Sequence, residues 1–489
     1  MPKPTDAKAP PFAADLARLE RALSEAASAP DPELPAEAAA VNPTLSVVRV
    51  GWRGLPELVA SDAPPATPPG PGERLVLVWK PPGGEARAKA AAPEDLLALK
   101  IVVEGIPPED AAREGGVPVG RIETILGRAQ DEGLVLAPPP LLRRDPRQLG
   151  VDLRGWEEFL VAPVFTLQWH LTQACDLRCR HCYDRSARDL LPYAEAVRVL
   201  DDLHRFCRQR RVRGHVTFTG GNPLLHPRFL DLYREAADRG FGLTVLGNPS
   251  PREPIEALCA IHPPEVFQVS LEGLEEHNDA IRGPGHFERT LEFLDLLREL
   301  GVFSMVMLTL TQDNVDQVLP LAELLRGRVD RFHFNRLSPV GEGAGLPVVP
   351  RERYRAFLEE YLAATQTNPM LGLKDNLFNP LRYQRGEPVF GGCTGFGCGA
   401  AFNFLSLLPD GEVHACRKFP SPIGNLRVQS LAEIYDSPRA AGYRAGPSAC
   451  RGCAVRPVCG GCLASASGFG LDAFETRDPY CAGRPQIRS

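Results

Sequence analysis

Between Phe165 and Leu337 the chain alternates short runs rich in β-branched and aromatic residues with longer helical stretches, and this alternation restricts the fold more than any other feature. The strand candidates are TLQWHLT (166–172), HVTFTG (215–220), FGLTVLG (241–247), VFQVSL (266–271), FSMVMLTL (303–310) and RFHFNRL (331–337). Helical segments such as PYAEAVRVLDDLHRFCRQR and FERTLEFLDLLRELG separate them. Six β-then-α units joined by short connections predict a parallel sheet, because parallel neighbours need a crossover and a helix supplies it. Right-handed crossovers curl such a sheet into a partial (β/α)6 barrel of the TIM type. Ligands then sit at the C-terminal ends of the strands, so the chemistry is expected just after each strand.

A chain of 489 residues is too long for one ordinary domain, and its flanks differ from the middle. The expected division is 1–145, 160–340, a bridging region at 341–390 that holds the helix RERYRAFLEEYLAAT, and 391–489. About half of the prolines fall in the first 150 residues, where PPATPPGPG (64–72) and APPP (137–140) read as loops. Two β-like runs, Leu45–Trp52 and Leu75–Trp79, precede three helical candidates, at Pro93, at Pro107 and around Ile122, Ile125, Leu126 and Ala129. Strands first and helices after them predict a small α+β, winged-helix-like domain. The last hundred residues are rich in Gly, Pro and Cys, lack the apolar mass for a core of their own and call for a metal staple.

Composition removes several classes. No apolar run approaches the roughly 18 residues that span a bilayer. The N-terminus has no apolar signal-peptide core, so a cytoplasmic location and no membrane partner are expected. A net charge of -6 argues against nucleic acid. Residues 1–150 carry 21 acids against 17 bases, which disfavours a DNA-binding winged helix there.

Thirteen cysteines in a reducing compartment point to metal or redox chemistry rather than disulfides. Eleven lie in two groups; Cys207 and Cys259, in barrel helices, read as buried structural thiols. The first group, CDLRCRHC, places Cys175, Cys179 and Cys182 in CX3CX2C spacing directly after the first barrel strand. Three thiolates can hold three irons of a 4Fe-4S cluster and leave the fourth open; a three-Cys zinc site with a fourth ligand from His181 or elsewhere is the competing reading. After the second strand stand Gly220, Gly221, Asn222 and Pro223, where two glycines allow close backbone approach. After the fourth come Ser270 and Glu272, with Arg282 further on, a hydroxyl and a guanidinium suited to a carboxylate. Gln168, His170, Asn248 and Asn335 also fall at strand ends, where each alone reads as a satisfied core group. The second group is Cys450, Cys453, Cys459 and Cys462 in CX2CX5CX2C, followed by Cys481 and preceded by Cys393, Cys398 and Cys416. Taken alone, paired zinc knuckles explain it as well as iron-sulfur.

Residues 163–340 resemble the radical S-adenosylmethionine (SAM) enzymes through Cys175, Cys179 and Cys182 and through Gly220, Gly221 and Pro223, which match the family's GGEP motif with Asn222 in place of the Glu. The resemblance implies an open-iron 4Fe-4S cluster that binds SAM, contacts to SAM from Gly220, Gly221, Asn222, Ser270, Glu272 and Arg282, and reductive cleavage of SAM to a 5'-deoxyadenosyl radical. The C-terminal cysteines resemble the SPASM domain of peptide-modifying members, one residue short before Cys462. That resemblance implies two closed auxiliary 4Fe-4S clusters, one on Cys393, Cys398, Cys416 and Cys462 and the other on Cys450, Cys453, Cys459 and Cys481. The N-terminal domain resembles the leader-binding recognition element of ribosomal-peptide maturases; a structural cap is the alternative. Together these imply an oxidative peptide maturase, similar to the thio(seleno)oxazole or selenobiotic type, that uses a precursor peptide and an electron donor such as flavodoxin or ferredoxin. Two alternatives stay open: a formylglycine-forming sulfatase maturase, which wants an acid where Arg417 stands, and a zinc-stapled binding protein.

Overall fold

The computed structural model describes residues 10–59 and 68–483. They form two compact units, one made of the chain up to Pro139 with Asp238–Gly240, the other of Pro140–Ala237 and everything from Phe241 onward.

The first unit holds β1 (Ala40–Val41), β2 (Ser46–Arg53), β3 (Gly70–Trp79), β4 (Arg87–Ala90) and β5 (Val135–Leu136). β2, β3 and β4 form an antiparallel sheet in that order, and β1 pairs with β5. Side chains alternate across β3. Val76 and Val78 pack with Leu19, Ala22 and Ala26 of a helix at Ala13–Ser28. Leu77 and Trp79 face Ala98, Ile125 and Ala129 of the later helices. Those three helices occupy Pro93–Glu104, Pro108–Gly115 and Val119–Asp131, close to the expected positions. The helix at Ala13–Ser28 corrects the strands-first order: its buried stripe is mostly alanine, too weak a signal to stand out in a proline-rich stretch. Of the loop read at 64–72, residues 64–67 lie outside the described residues, while Gly70–Gly72 begin β3.

The second unit is built on nine strands: β6 (Val164–Thr172), β7 (Arg213–Gly220), β8 (Gly242–Leu246), β9 (Val266–Ser270), β10 (Ser304–Leu310), β11 (Arg331–Arg336), β12 (Phe404–Leu407), β13 (Glu412–His414) and β14 (Pro422–Asn425). β6 to β11 are parallel neighbours in sequential order, the order a TIM-type barrel requires. The sheet does not end at β6. β12 adds to it in parallel, and β13 and β14 continue it antiparallel. The C-terminal cysteine region therefore shares one apolar core with the barrel, in which Phe165, Phe206 and Tyr435 pack ring against ring.

Alternation along the barrel strands sorts the two faces. Phe165, Leu167, Trp169, Val216, Phe218, Phe267, Val306, Leu308, Phe332 and Phe334 are all buried in the core. Their neighbours in sequence, Thr166, Gln168, Thr217, Thr219, Gln268, Ser270, Thr309 and Asn335, line a cavity instead. The barrel interior is thus polar and open to a ligand rather than filled by side chains.

Candidate active site

β6 and β7 end side by side, and their ends are clasped together. The Gly221 N–H donates to Thr172 O (2.7 Å) and the Asn222 N–H to Ala174 O (2.8 Å). A Cβ on Gly221 would lie 2.2 Å from Ala174 O, and one on Gly220, whose φ is +141°, 2.3 Å from Thr172 O. The close approach that the two glycines permit is therefore first of all to the root of the cysteine loop. That clasp launches Cys175, Cys179 and Cys182 into the cavity at the C-terminal ends of the strands.

The loop's sulfurs are met by donors from two neighbouring βα units, Arg282 at the end of the helix Glu275–Arg282 and Asn248 just after β8. Arg282 points Nη1 at Cys179 Sγ (3.7 Å), and Asn248 points Nδ2 at Cys175 Sγ (3.6 Å). Burial pushes the Cys179 thiol up, with Arg282 opposing it. Glu272 is 1% exposed and fully engaged: it accepts from Arg282 Nε (2.9 Å) and Nη2 (2.6 Å) and from the Thr309 N–H (2.8 Å), and His181 Nε2 lies 3.3 Å away. Burial alone would raise its pKa, but His181 and Arg282 outweigh it and hold the carboxyl below its ordinary range.

The structure separates the six residues read as SAM contacts. Gly220, Gly221, Ser270 and Arg282 line the cavity with the three thiols. Asn222 and Glu272 stand behind it. Asn222 donates to Asp176 (3.0 Å) and accepts from the Leu224 N–H (3.3 Å), a turn-capping role. Glu272 orients Arg282. Of the other polar candidates, Gln168, Asn248 and Asn335 reach the cavity, whereas His170 is buried against the Tyr183 hydroxyl. Cys207 is buried and Cys259 half-buried, in barrel helices.

The eight C-terminal cysteines form two groups. Cys393, Cys398, Cys416 and Cys462 feel one another's charge, and burial raises three of them, Cys398 to about 11 and Cys416 to about 12. Cys450, Cys453, Cys459 and Cys481 line one small cavity, and burial pushes Cys450 up to about 11. Both donor sets are all-thiol, which fits an iron-sulfur cluster and a structural zinc alike. Among the described residues no three His, Cys, Asp or Glu side chains draw in closely enough for a single metal ion. Because this region has little secondary structure, side chains carry the loops. Asn376 accepts from the Cys393 N–H (2.7 Å) and donates to Gly461 O (2.6 Å). Arg144 donates to Phe396 O and Cys398 O, both at 2.6 Å, and Asp478 accepts from the Cys462 N–H (2.8 Å). These supporting residues carry no sequence motif; a lone Asn, Arg or Asp acquires its role only through contacts across long stretches of chain.

One cavity of about 740 Å³ collects the barrel's three thiols and also Cys393 and Cys416. Between the two sets stands Arg417, which donates to Thr219 Oγ1 (2.8 Å) and to the Tyr183 hydroxyl, its guanidinium 4.6 Å from the Tyr183 ring. Lys374 and Lys418 line the same wall. Burial lowers the pKa of Lys374, with Cys393 opposing and Lys418 adding to the effect.

Two families match this chain, the radical SAM superfamily over residues 169–325 and the SPASM iron-sulfur cluster-binding domain over residues 398–462. These matches and the cavity they share define a radical SAM enzyme with a SPASM domain. Among known proteins, the chain is similar to the AdoMet-dependent heme synthase of Methanosarcina barkeri, 27% identical over 350 residues that cover 65% of this chain and 96% of that protein. It is also similar to the mycofactocin maturase MftC of Mycolicibacterium smegmatis, 29% identical over 67% of this chain and 84% of that one. The fold is similar to that of Streptococcus suis SuiB bound to its precursor peptide SuiA, with a TM-score of 0.53 and 14% identity over 84% of this chain and 96% of that one. Cys393 and Cys481 fall outside the SPASM match. The described residues include no helix long and apolar enough to cross a membrane.

Proposed function

We propose that this radical SAM enzyme oxidatively modifies a ribosomally made precursor peptide. The observation that carries the reading is the single cavity between the barrel's cysteine loop and the first C-terminal thiol quartet. When bound, a 4Fe-4S cluster on Cys175, Cys179 and Cys182 together with SAM supplies reductive cleavage to a 5'-deoxyadenosyl radical that abstracts hydrogen. The chain's own residues do the rest. Arg282, held by Glu272, and Ser270 orient the ligand at the strand ends. The polar lumen, Gln168, Thr217 and Asn335 among its walls, receives the substrate side chain. The quartets of Cys393, Cys398, Cys416 and Cys462 and of Cys450, Cys453, Cys459 and Cys481 would hold two closed clusters, the first beside that side chain and suited to take up the electron the product releases.

Several finer assignments belong to the same proposal. The segment GGNPLLHP at 220–227 supports a thio(seleno)oxazole or selenobiotic type of maturase. The sheet β2–β3–β4 has β2 and β4 as its outer strands, the kind of edge to which a leader peptide adds as a further strand. Electrons would come from a flavodoxin or ferredoxin. Arg417 argues against the sulfatase-maturase alternative, since the position after Cys416 is a guanidinium already bound to Thr219 and Tyr183, with no base to offer. The similarity to a heme synthase carries a second reading, a small-molecule substrate modified by the same radical.

Anaerobic reconstitution tests the chemistry: about twelve irons per chain, and deoxyadenosine on adding SAM and reductant. Co-expression with a short peptide encoded beside this chain tests the substrate. A mass change in that peptide is expected, and an unchanged peptide alongside ongoing deoxyadenosine formation would favour the small-molecule reading.

A further inference from the structure

The cavity carries far more positive than negative charge. Among its lining side chains only Asp184 is acidic, and that carboxylate already accepts from Gln173 Nε2 (3.0 Å) and from the Ser186 N–H (2.9 Å). Three of the cavity's cations are compensated: Arg282 pairs with Glu272, Arg336 with Asp375 and Asp478, and Arg185 with Glu342 (3.9 Å). Arg178 is exposed to solvent. Three others, all on the wall contributed by residues 374–418, make no ion pair with any described residue. Arg417 donates only to the neutral hydroxyls of Thr219 and Tyr183. Lys418 donates to a backbone carbonyl, Arg336 O, at 3.1 Å. Lys374, half-buried on the same wall, makes no hydrogen bond or ion pair with any described residue.

Cations gathered on one half-buried wall repel one another and attract an anion, more strongly as a bound ligand excludes water from between them. In the proposed SAM site the ligand's carboxylate is already answered by Arg282, which points Nη1 at Cys179 Sγ (3.7 Å). An auxiliary cluster beside Cys393 and Cys416 brings negative charge near Lys374. It leaves Arg417 unanswered, however, since that guanidinium reaches across to Thr219 on β7 and places its charge over the barrel interior.

We propose that Lys374, Arg417 and Lys418 form a carboxylate-binding subsite that seats an anionic group of the substrate within the barrel, next to the carbon that is oxidised. The inference rests on the proposed radical SAM peptide chemistry and narrows its substrate class. The peptide presents either an acidic side chain or its own C-terminal carboxylate to this wall. A fixed carboxylate orients the neighbouring C–H bond toward the strand ends and away from competing positions, which is where positioning contributes to a hydrogen-abstraction reaction.

The test uses the reconstituted holoenzyme with SAM and without reductant, and reads binding of three probes by equilibrium dialysis: acetyl-Gly-Glu-Gly-amide, acetyl-Gly-Gln-Gly-amide and acetyl-Gly-Gly-Gly with a free C-terminus. One of the two carboxylate probes should bind at least about tenfold tighter than the Gln probe, and which one does identifies the source of the carboxylate. That comparison needs no variant. Lys374→Met should abolish the preference while iron content stays at the wild-type level, and Lys374→Arg should retain it. Equal binding of all three probes, or a preference that survives Lys374→Met, overturns the subsite. So does a Lys374→Met variant whose only change is the reduction potential of an auxiliary cluster, since that assigns the lysine to the cluster. Deoxyadenosine formation by the wild type is measured separately: its absence sinks the radical SAM reading itself, whereas its presence without carboxylate preference sinks only the subsite.

Discussion

Arg336, the last residue of β11, and Asp478, near the chain's C-terminus, meet as a buried bidentate pair at 2.8 and 2.7 Å. Arg336 is shared with Asp375 (2.7 Å), and Asp478 also accepts the N–H groups of Cys462 and Tyr480. One ion pair thus ties the barrel sheet to a loop between two cluster cysteines. Because it is buried, removing one partner strands the other's charge. Asp478→Asn or Arg336→Met should lower stability by about 3–5 kcal/mol in chemical denaturation. Asp478→Asn should also reduce auxiliary iron loading, measured by iron assay.

Replacing Cys175, Cys179 and Cys182 together by Ala should remove about four of the twelve irons and abolish deoxyadenosine formation while leaving the auxiliary clusters visible by electron paramagnetic resonance. Continued SAM cleavage would contradict the assignment of this loop.

Gly221→Ala forces a methyl to within 2.2 Å of Ala174 O, which is backbone and cannot turn aside. A loss of about 1–3 kcal/mol is expected. The accompanying shift of the cysteine loop should appear as incomplete loading of the SAM-binding cluster in the iron assay and in the absorption spectrum.

Glu272→Gln removes the charge that holds Arg282 and His181 in place. The weaker pairing should lower SAM affinity about tenfold, measured by equilibrium dialysis without turnover. The iron content should stay unchanged, because Glu272 contacts no sulfur.

The thiols impose a pH dependence on the metal-free chain. Burial raises Cys416 from 9.0 to about 12, so the folded chain favours the neutral thiol. This contribution to stability is fully present below pH 9 and is lost as the pH rises from 9 toward 12. Urea midpoints of apo protein should fall over that interval. Iron loading, which requires deprotonated thiolates, should in contrast become less complete as the pH is lowered.

How much of this was legible beforehand depends on the range of the interactions. The six barrel strands lie within two residues of their expected bounds, because side-chain period and turn chemistry are local. CX3CX2C at 175–182 is legible for the same reason: its three thiols share one loop. The helix at Ala13–Ser28 was not, since its alanine stripe gains meaning only against Val76 and Val78 of β3. Nor was the division of the strand-end polar groups. Ser270 and Glu272 are two residues apart with similar motif value, yet one reaches the cavity and the other stands behind it, gripped by Arg282 and Thr309.

The sequence by itself therefore determined the parallel barrel, the chemistry of its cysteine loop and the thiol-rich character of the C-terminal region, all properties written in periods and spacings of a few residues. Only the tertiary structure decided that the C-terminal strands extend the barrel sheet through β12, that Cys393 and Cys416 face the same cavity as Cys175, Cys179 and Cys182, and that Lys374 lines it without an ion-pair partner among the described residues. Those facts depend on contacts between residues hundreds of positions apart, where packing and the burial of charge decide which side chains face one another.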